Sequence, residues 1–349
     1  MSNKNTISKA YMSDNEKFAD AFNFYMYQGK QMIKPDHLSE KDITEISLPN
    51  KEGREIFAVE KYRDILKQCV IKEDADNIYI LMGIENQSDI HYAMPVRSML
   101  YDALNYSGQV TAKAKKNKKN QKKKTSGEFI SGLMKEDKLI PVITLVIYWG
   151  NLEWDAPRNL HDMLDHTNED ILKYVSDYHM NLIVPREIQD FSKFQSEMGK
   201  VLEFISASGD RAKMKKVIND NEKSYLHMDV DSAIMISEFT NTKIDIEKYE
   251  EEKEGVNMCK AIDDMIKEAV DEKETEMCKA IDDMISESRQ EGRQEGRQEG
   301  IQIGEIRAMI EVESKYGNSK EGIISEITNK YKISEQKARE EVEKYYLVA

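Results

Sequence analysis

The sequence predicts an α/β fold, and three observations carry that reading. An amphipathic helix opens the chain, a β-rich hairpin follows it, and two apolar runs are continuous rather than alternating, which marks strands covered on both faces. Ser13 followed by Glu16 has capping-box spacing, and Phe18, Phe22, Tyr25 and Met26 then recur on one face, so a helix is expected from about Asp14 to Gln28, before Gly29. Tyr62 to Lys72 and Asn77 to Gln87 are β-rich and flank the turn-forming cluster Glu73-Asp74-Ala75-Asp76. The second run is apolar up to Ile84 apart from Gly83. Pro95 suits a first helical turn, with Val96, Met99, Leu100, Ala103 and Leu104 expected on its buried side. Ile140 to Trp149 is a further buried strand. From Arg158 to Asn241 the pattern is mostly helical, for example Ile188, Phe191, Phe194, Met198, Leu202 and Ile205.

The net charge of −14 over 349 residues misleads until it is mapped. Residues 247–288 hold 15 acidic and 6 basic side chains, so that segment alone carries −9. At the other extreme, Lys113 to Lys124 places eight lysines in twelve residues, with Ala114 as its one apolar side chain. Such a run buries nothing, and a disordered Lys-rich loop is expected at 111–127. Two readings of it stand: a solvated linker, and an arm that contacts nucleic-acid phosphates through Lys115, Lys116, Lys118, Lys119, Lys122, Lys123 and Lys124. Cys69, Cys259 and Cys278 form neither a disulfide framework nor a zinc motif, which points to a reducing, cytoplasmic setting. The amino-terminal residues carry no signal-peptide core, and no apolar run is long enough to span a bilayer.

The tail differs in kind. MCKAIDDMI occurs at Met258 to Ile266 and again at Met277 to Ile285, followed by three copies of Arg-Gln-Glu-Gly from Arg289 to Gly300. In a helix this repeat stacks Arg289, Arg293 and Arg297 in one column, with Glu291, Glu295 and Glu299 nearly opposite. A second copy could set its acidic column against that basic one, giving a homodimer or higher oligomer through the tail, as in a coiled coil. A solvated linker is the competing account, because glycine disfavours helix. Ser334 reads as an N-cap before Glu335 to Tyr346. The expected organisation is a core domain at 1–245, a helical tail at 246–304 and a small helical segment at 305–349.

Hairpin arithmetic locates the chemistry. With the turn near residue 75, cross-strand partners sum to about 149 to 151, and Asp64 falls across from Glu85 or Gln87, which share a face. Two carboxylates and an amide then meet where the apolar run ends. Oxygen ligands of this kind suit Mg²⁺ or Mn²⁺, which can activate water and stabilise phosphodiester cleavage; the plainer account is an exposed polar strand end. His161, Asp165 and His166 have helical spacing that superficially suggests a metal site, but no third cluster completes one. His91 is a candidate general base or a packing residue beside Tyr92. Nucleophile-elbow, Walker A and dinucleotide motifs are absent, which removes support for acyl transfer, ATP hydrolysis and nicotinamide chemistry.

Residues 62–68, YRDILKQ, and 83–106, GIENQSDIHYAMPVRSMLYDALNY, resemble the Rpn family of recombination-promoting nucleases, often labelled transposases, within the PD-(D/E)XK superfamily. IPVITLVIYWG and the Arg-Gln-Glu-Gly tail are similar to that family as well. The resemblance implies a restriction-endonuclease-like αβββαβ core, here with added helices and an extended helical tail, and Mg²⁺-dependent DNA endonuclease activity acting in recombination. By that likeness Asp64 and Glu85 are the metal-binding acids, and Gln87 occupies the position usually held by lysine. Glu16 matches an acidic residue on the superfamily's first helix, although capping explains it equally. Arg97 and Tyr101, one turn apart after the motif, are expected to face the scissile phosphate, Arg97 as a bidentate clamp, or else simply to be solvated. The alternative class is a catalytically silent DNA-binding or assembly protein with an oligomerising tail.

Overall fold

A computed structural model describes residues 3–41, 64–73, 76–120, 125–165, 168–242, 244–251, 255–271 and 279–346. The turn residues Asp74 and Ala75, together with Lys122, Lys123, Lys124, His166 and Cys278, lie outside them. Among the described residues no helix is long and apolar enough to cross a membrane. The chain divides into two compact units, Met1–Met265 with Glu274–Asp282, and Ile266–Lys273 with Asp283–Ala349.

The first unit opens with two helices, α1 (Asn3–Ser13) and α2 (Asn15–Tyr27). Sequence reading expects only the second and takes Ser13 as its cap. Ser13 instead ends α1, its hydroxyl donating back to the Lys9 carbonyl, and the Asp14 carboxylate caps α2 by accepting from the Glu16 and Lys17 amides. Aspartate is an equally good cap, and its charge also complements the helix dipole. Helix α2 stops at Gln28 and Gly29, both left-handed with φ of 55° and 88°. A Cβ on Gly29 would lie 2.5 Å from the Lys193 carbonyl oxygen, so glycine is required there by conformation and by space.

Strands β1 (Leu38–Glu40), β2 (Ile65–Glu73) and β3 (Asp76–Gln87) form an antiparallel meander. Helix α3 (Met94–Lys119) then leads to β4 (Val142–Tyr148), which runs parallel to β3, with α4 (Ser126–Ser131) between them. After α5 (Glu169–Leu172), β5 (Asn181–Ile183) adds in parallel to β4, giving the order β1-β2-β3-β4-β5. This is a mixed α/β sheet with the αβββαβ order that the resemblance implies. Met82, Ile84, Leu145, Val146 and Ile147 are buried within it, as continuous apolar runs require. The short β5 interrupts the region expected to be helical, where Asn181–Ile183 has too few residues for a period to emerge.

Helix α3 corrects two expectations. Its buried side is Met94, Ser98, Tyr101, Leu104 and Asn105, while Val96 is exposed. The inner face is therefore more polar than the predicted stripe, and Asp102 beside it accepts from the Thr144 hydroxyl (2.6 Å) and the Tyr178 hydroxyl (2.7 Å). The second correction concerns the lysine run: Lys113, Lys115, Lys116, Lys118 and Lys119 are the last turns of α3 rather than a disordered loop. Lysine and alanine are good helix formers, the helix is already nucleated upstream, and cations favour its C-terminal end.

Helices α6 (Met198–Ala207), α7 (Arg211–Asp220), α8 (Glu222–Leu226), α9 (Val230–Thr240) and α10 (Ile246–Tyr249) follow, with a small ribbon of β6 (Glu250–Glu251) and β7 (Gly255–Val256). Of the predicted apolar stripe, only Met198, Leu202 and Ile205 lie on a regular α-helix. Further on come α11 (Met258–Asp271), α12 (Lys279–Lys315), α13 (Lys320–Tyr331) and α14 (Glu335–Tyr345). Helix α12 continues through all three Arg-Gln-Glu-Gly copies. In the second unit Ile306, Ile310, Ile323, Ile324, Ile327, Ala338 and Val342 form a small core of their own, and Ser334 caps α14 by accepting from the Lys337 amide.

Candidate active site at the end of the central hairpin

The hairpin register is fixed by pairs such as Ile65 with Ile84 and Glu73 with Asp76. Extended by one residue, the same register sets Asp64 opposite Glu85, on the face that Glu85 and Gln87 share. Every pairing in the ladder sums to 149, so Glu85 rather than Gln87 is the direct partner of Asp64. An Asp64 carboxylate oxygen accepts from the Asn86 amide at 2.8 Å, which ties it to the end of β3. Glu85 is fully buried and ion-paired with Arg97 at 3.1 Å, and the Arg97 Nε donates to the Tyr101 hydroxyl at 2.9 Å.

Asp64, Asn86, Gln87, Ser88 and Arg97 line a cavity of about 240 Å³ that Lys4, Asn5, Ser8 and Phe239 close. Burial raises the Asp64 carboxyl above the ordinary aspartate range, against the opposing pull of the Asn86 amide, Arg97 and Lys9. For Arg97 burial works against the charge, yet Glu85 and Tyr101 outweigh it and raise the guanidinium further. Burial and the Glu85 charge likewise raise the Tyr101 phenol. Arg97 is thus held in a Glu85–Arg97–Tyr101 chain at the cavity wall, where it keeps Glu85 in place while its side chain stays 29% exposed.

The other predicted residues fall elsewhere. Glu16 is exposed in the first turn of α2 and does not line the cavity. The His91 Nδ1 accepts from the Ala93 amide just before α3, and His91 does not line the cavity. His161 lies in a short 3-10 turn, bonded to the Val175 carbonyl and near Asp177, without helical spacing to Asp165. From Arg97 to Lys116 is nineteen helical residues, roughly 29 Å at 1.5 Å each, so the α3 lysines are remote from the acid pair.

Sequence reasoning missed Lys4, Asn5, Ser8, Asn86, Ser88, Trp149 and Phe239. The Trp149 indole donates to Asn86 at 2.9 Å and its amide donates to the Gln87 carbonyl at 2.8 Å, which pins the end of β3 from behind. Tyr11 meets the same indole edge-on at 6.0 Å and Phe239 packs against it at 5.8 Å. The available signal was weak: Tyr11 and Met12 as an apolar pair, with Lys4 and Ser8 one turn apart.

The donors suit a hard divalent cation. Asp64 and Glu85 offer carboxylate oxygens and Gln87 an amide oxygen, and a buried carboxyl raised by desolvation is one that a cation would relieve. Among the described residues no group of three His, Cys, Asp or Glu side chains converges. Two carboxylates leave the remaining positions to waters and phosphate oxygens, a ligand set magnesium accepts.

Fold and site together define an α/β protein of nuclease-like architecture with a buried acid pair at the end of its central hairpin. The chain belongs to the family described as "Putative transposase, YhgA-like", whose model matches residues 54–233. That is the family to which the Asp64 and Glu85-x-Gln87 motif pointed. The chain matches no curated protein and no solved structure.

Proposed function

We propose that the protein is a metal-dependent DNA endonuclease that hydrolyses phosphodiester bonds, acting in recombination. The observation that supports this reading is the pairing of Asp64, which lines a small polar cavity, with Glu85, which is buried beneath it and held by Arg97. Asp64 and Glu85 would hold Mg²⁺, with Mn²⁺ as a substitute. When bound, the cation supplies charge stabilisation at the phosphate and acidifies the attacking water. The chain's own groups do the rest. Asp64, held by the Asn86 amide, orients one carboxylate oxygen into the cavity. Arg97 holds Glu85 immobile at a depth where an unpaired charge would be costly. The Gln87 amide can donate to a phosphate oxygen and accept from water, so it positions the nucleophile without changing charge. Family membership supports DNA as the partner. The lysines at the end of α3 would grip phosphates about eight base pairs from the cut, at 3.4 Å per step.

One observation favours a silent DNA-binding protein instead: Glu85 has no exposure to the cavity and already has a cation partner. Cleavage of supercoiled plasmid separates the two readings. Wild type should nick in Mg²⁺ or Mn²⁺ and not in EDTA, and Asp64→Ala should bind DNA but leave it intact. Metal-dependent cutting retained by Asp64→Ala in a preparation free of contaminants would remove this site from the reaction.

A further inference from the structure

The cavity over Asp64 is built from two parts of the chain. Asp64, Asn86, Gln87, Ser88 and Arg97 lie inside the matched segment 54–233, whereas Lys4, Asn5, Ser8 and Phe239 lie outside it. The charges differ as well. A phosphate diester approaching the inner part meets the Asp64 carboxylate, the charge of Arg97 is engaged by the buried Glu85 at 3.1 Å, and Gln87 is neutral. That arrangement repels an anion unless a cation faces it.

Lys4 is such a cation. It lies half-buried on α1, with Ser8 one turn further along the same cavity-lining face. Its ammonium makes a long 3.4 Å contact to the Asn241 side-chain oxygen and sits 5.6 Å from the centre of the Phe239 ring. Among the described residues it forms no ion pair, so its charge is not neutralised by a carboxylate. The Phe239 ring rests against Trp149, and Trp149 is bonded to Gln87 and Asn86, so the ring that carries the ammonium is fixed relative to the acid pair. A lysine on a four-carbon stem is a compact point charge with three donors, and it suits a phosphate oxygen.

We propose that Lys4 is a phosphate-positioning residue, its ammonium holding a non-bridging oxygen of the nucleic-acid backbone over Asp64. The assignment rests on the nuclease reading for the identity of the ligand, not for the existence of the anion contact.

The test uses the full chain, a short fluorescein-labelled DNA duplex and fluorescence anisotropy in EDTA across a salt series, where no cleavage is needed. Lys4→Ala should weaken binding about five- to tenfold and lower the slope of log affinity against log salt by about one. Lys4→Arg should restore most of both. Lys30→Ala removes an exposed lysine that neither lines the cavity nor acts on Asp64, and it should change affinity less than about twofold. Cleavage in Mg²⁺ should show a raised KM for Lys4→Ala with kcat less affected, at unchanged melting temperature. Wild-type affinity and salt slope in Lys4→Ala, or an equal loss in Lys30→Ala, overturns the assignment. Loss of binding in Lys4→Ala when wild type does not cleave sinks the nuclease reading and leaves Lys4 standing. Cleavage by wild type with Lys4→Ala indistinguishable from it does the reverse, and a wild type that binds no duplex removes both.

Discussion

The two parts of the cavity differ in how they are held. The acid pair sits at the end of a hairpin of consecutive strands, so its geometry follows from local register. The part formed by α1 and α9 depends on contacts across the chain: the Tyr11 hydroxyl meets the Ser232 hydroxyl at 2.9 Å over a separation of 221 residues. The hairpin therefore keeps its carboxylates together in any fold that preserves the strands. The charge that would receive an anion exists only when α1 and α9 are docked. Substitutions in the first part should change chemistry, and substitutions in the anchors of the second should change affinity and stability.

The largest effect is expected from Asp64→Asn. Cleavage should fall about a hundredfold or more, since the carboxylate that would hold the cation is gone. Stability should move the other way. Burial raises the Asp64 carboxyl, so the folded state binds a proton more tightly than the unfolded chain and loses stability as pH rises through the ordinary value of 3.8 and above. The isosteric amide can still accept from the Asn86 amide and carries no charge to desolvate. In EDTA at neutral pH the variant should melt higher than wild type, and the gap should close in acid. A lower melting temperature at neutral pH would mean that Asp64 is a structural carboxylate.

Lys67→Ala comes next and attacks the docking of α1. Lys67 is fully buried on β2, its ammonium donating to the Ser13 carbonyl at the end of α1 and to the Asn15 side chain, with the Phe18 ring 5.0 Å away. Truncation removes a packed stem and leaves buried acceptors unpaired, which costs about 2–3 kcal/mol. DNA affinity should fall with stability, whereas register at the acid pair should persist. A denaturation midpoint equal to wild type would show that α1 is held without this lysine.

That contrast also explains what the sequence made legible. The β2–β3 hairpin, the buried strand β4 and the placing of Asp64 across from Glu85 or Gln87 follow from apolar runs, a turn signal and strand parity, all short-range properties. The cap of α2 was misplaced by one residue because Ser13 and Asp14 are both good caps. The face of α3 was misjudged because its inner side carries the polar Ser98, Tyr101 and Asn105 among its apolar residues, so the buried stripe does not read as continuous. Lys113 to Lys119 looked like coil because charge density was weighed above helix propensity. The Arg97–Glu85 ion pair was not legible because nothing local reports that Glu85 lies beneath the arginine. Helix α1 was missed altogether, since eleven residues with Tyr11 and Met12 as their buried apolar pair have no strong period.

The smallest predicted effect sharpens the same comparison at the other anchor. Glu197 accepts from the Asp229 amide at 2.8 Å, Asp229 accepts from the Ser232 hydroxyl at 2.9 Å and lies 3.5 Å from Lys17, and Ser232 meets Tyr11. Burial, with the Asp229 charge beside it, pushes the Glu197 carboxyl up to about 7. The folded state therefore holds a proton that the unfolded chain releases near the ordinary value of 4.5, and stability declines as pH rises from about 4.5 to about 7. Glu197→Gln keeps an acceptor for the Asp229 amide and removes the repelled charge. It should match wild type near pH 4.5 and exceed it above pH 7, by on the order of 1 kcal/mol once solvent screening of this half-exposed group is allowed for. Thermal melts across that range, with duplex binding measured in parallel, read the result. Stabilisation at high pH with unchanged affinity would place Glu197 purely in the docking of α9. Stabilisation with tighter DNA binding would mean that α1 and α9 open in the wild type at neutral pH, and that the receiving charge on Lys4 is presented only part of the time.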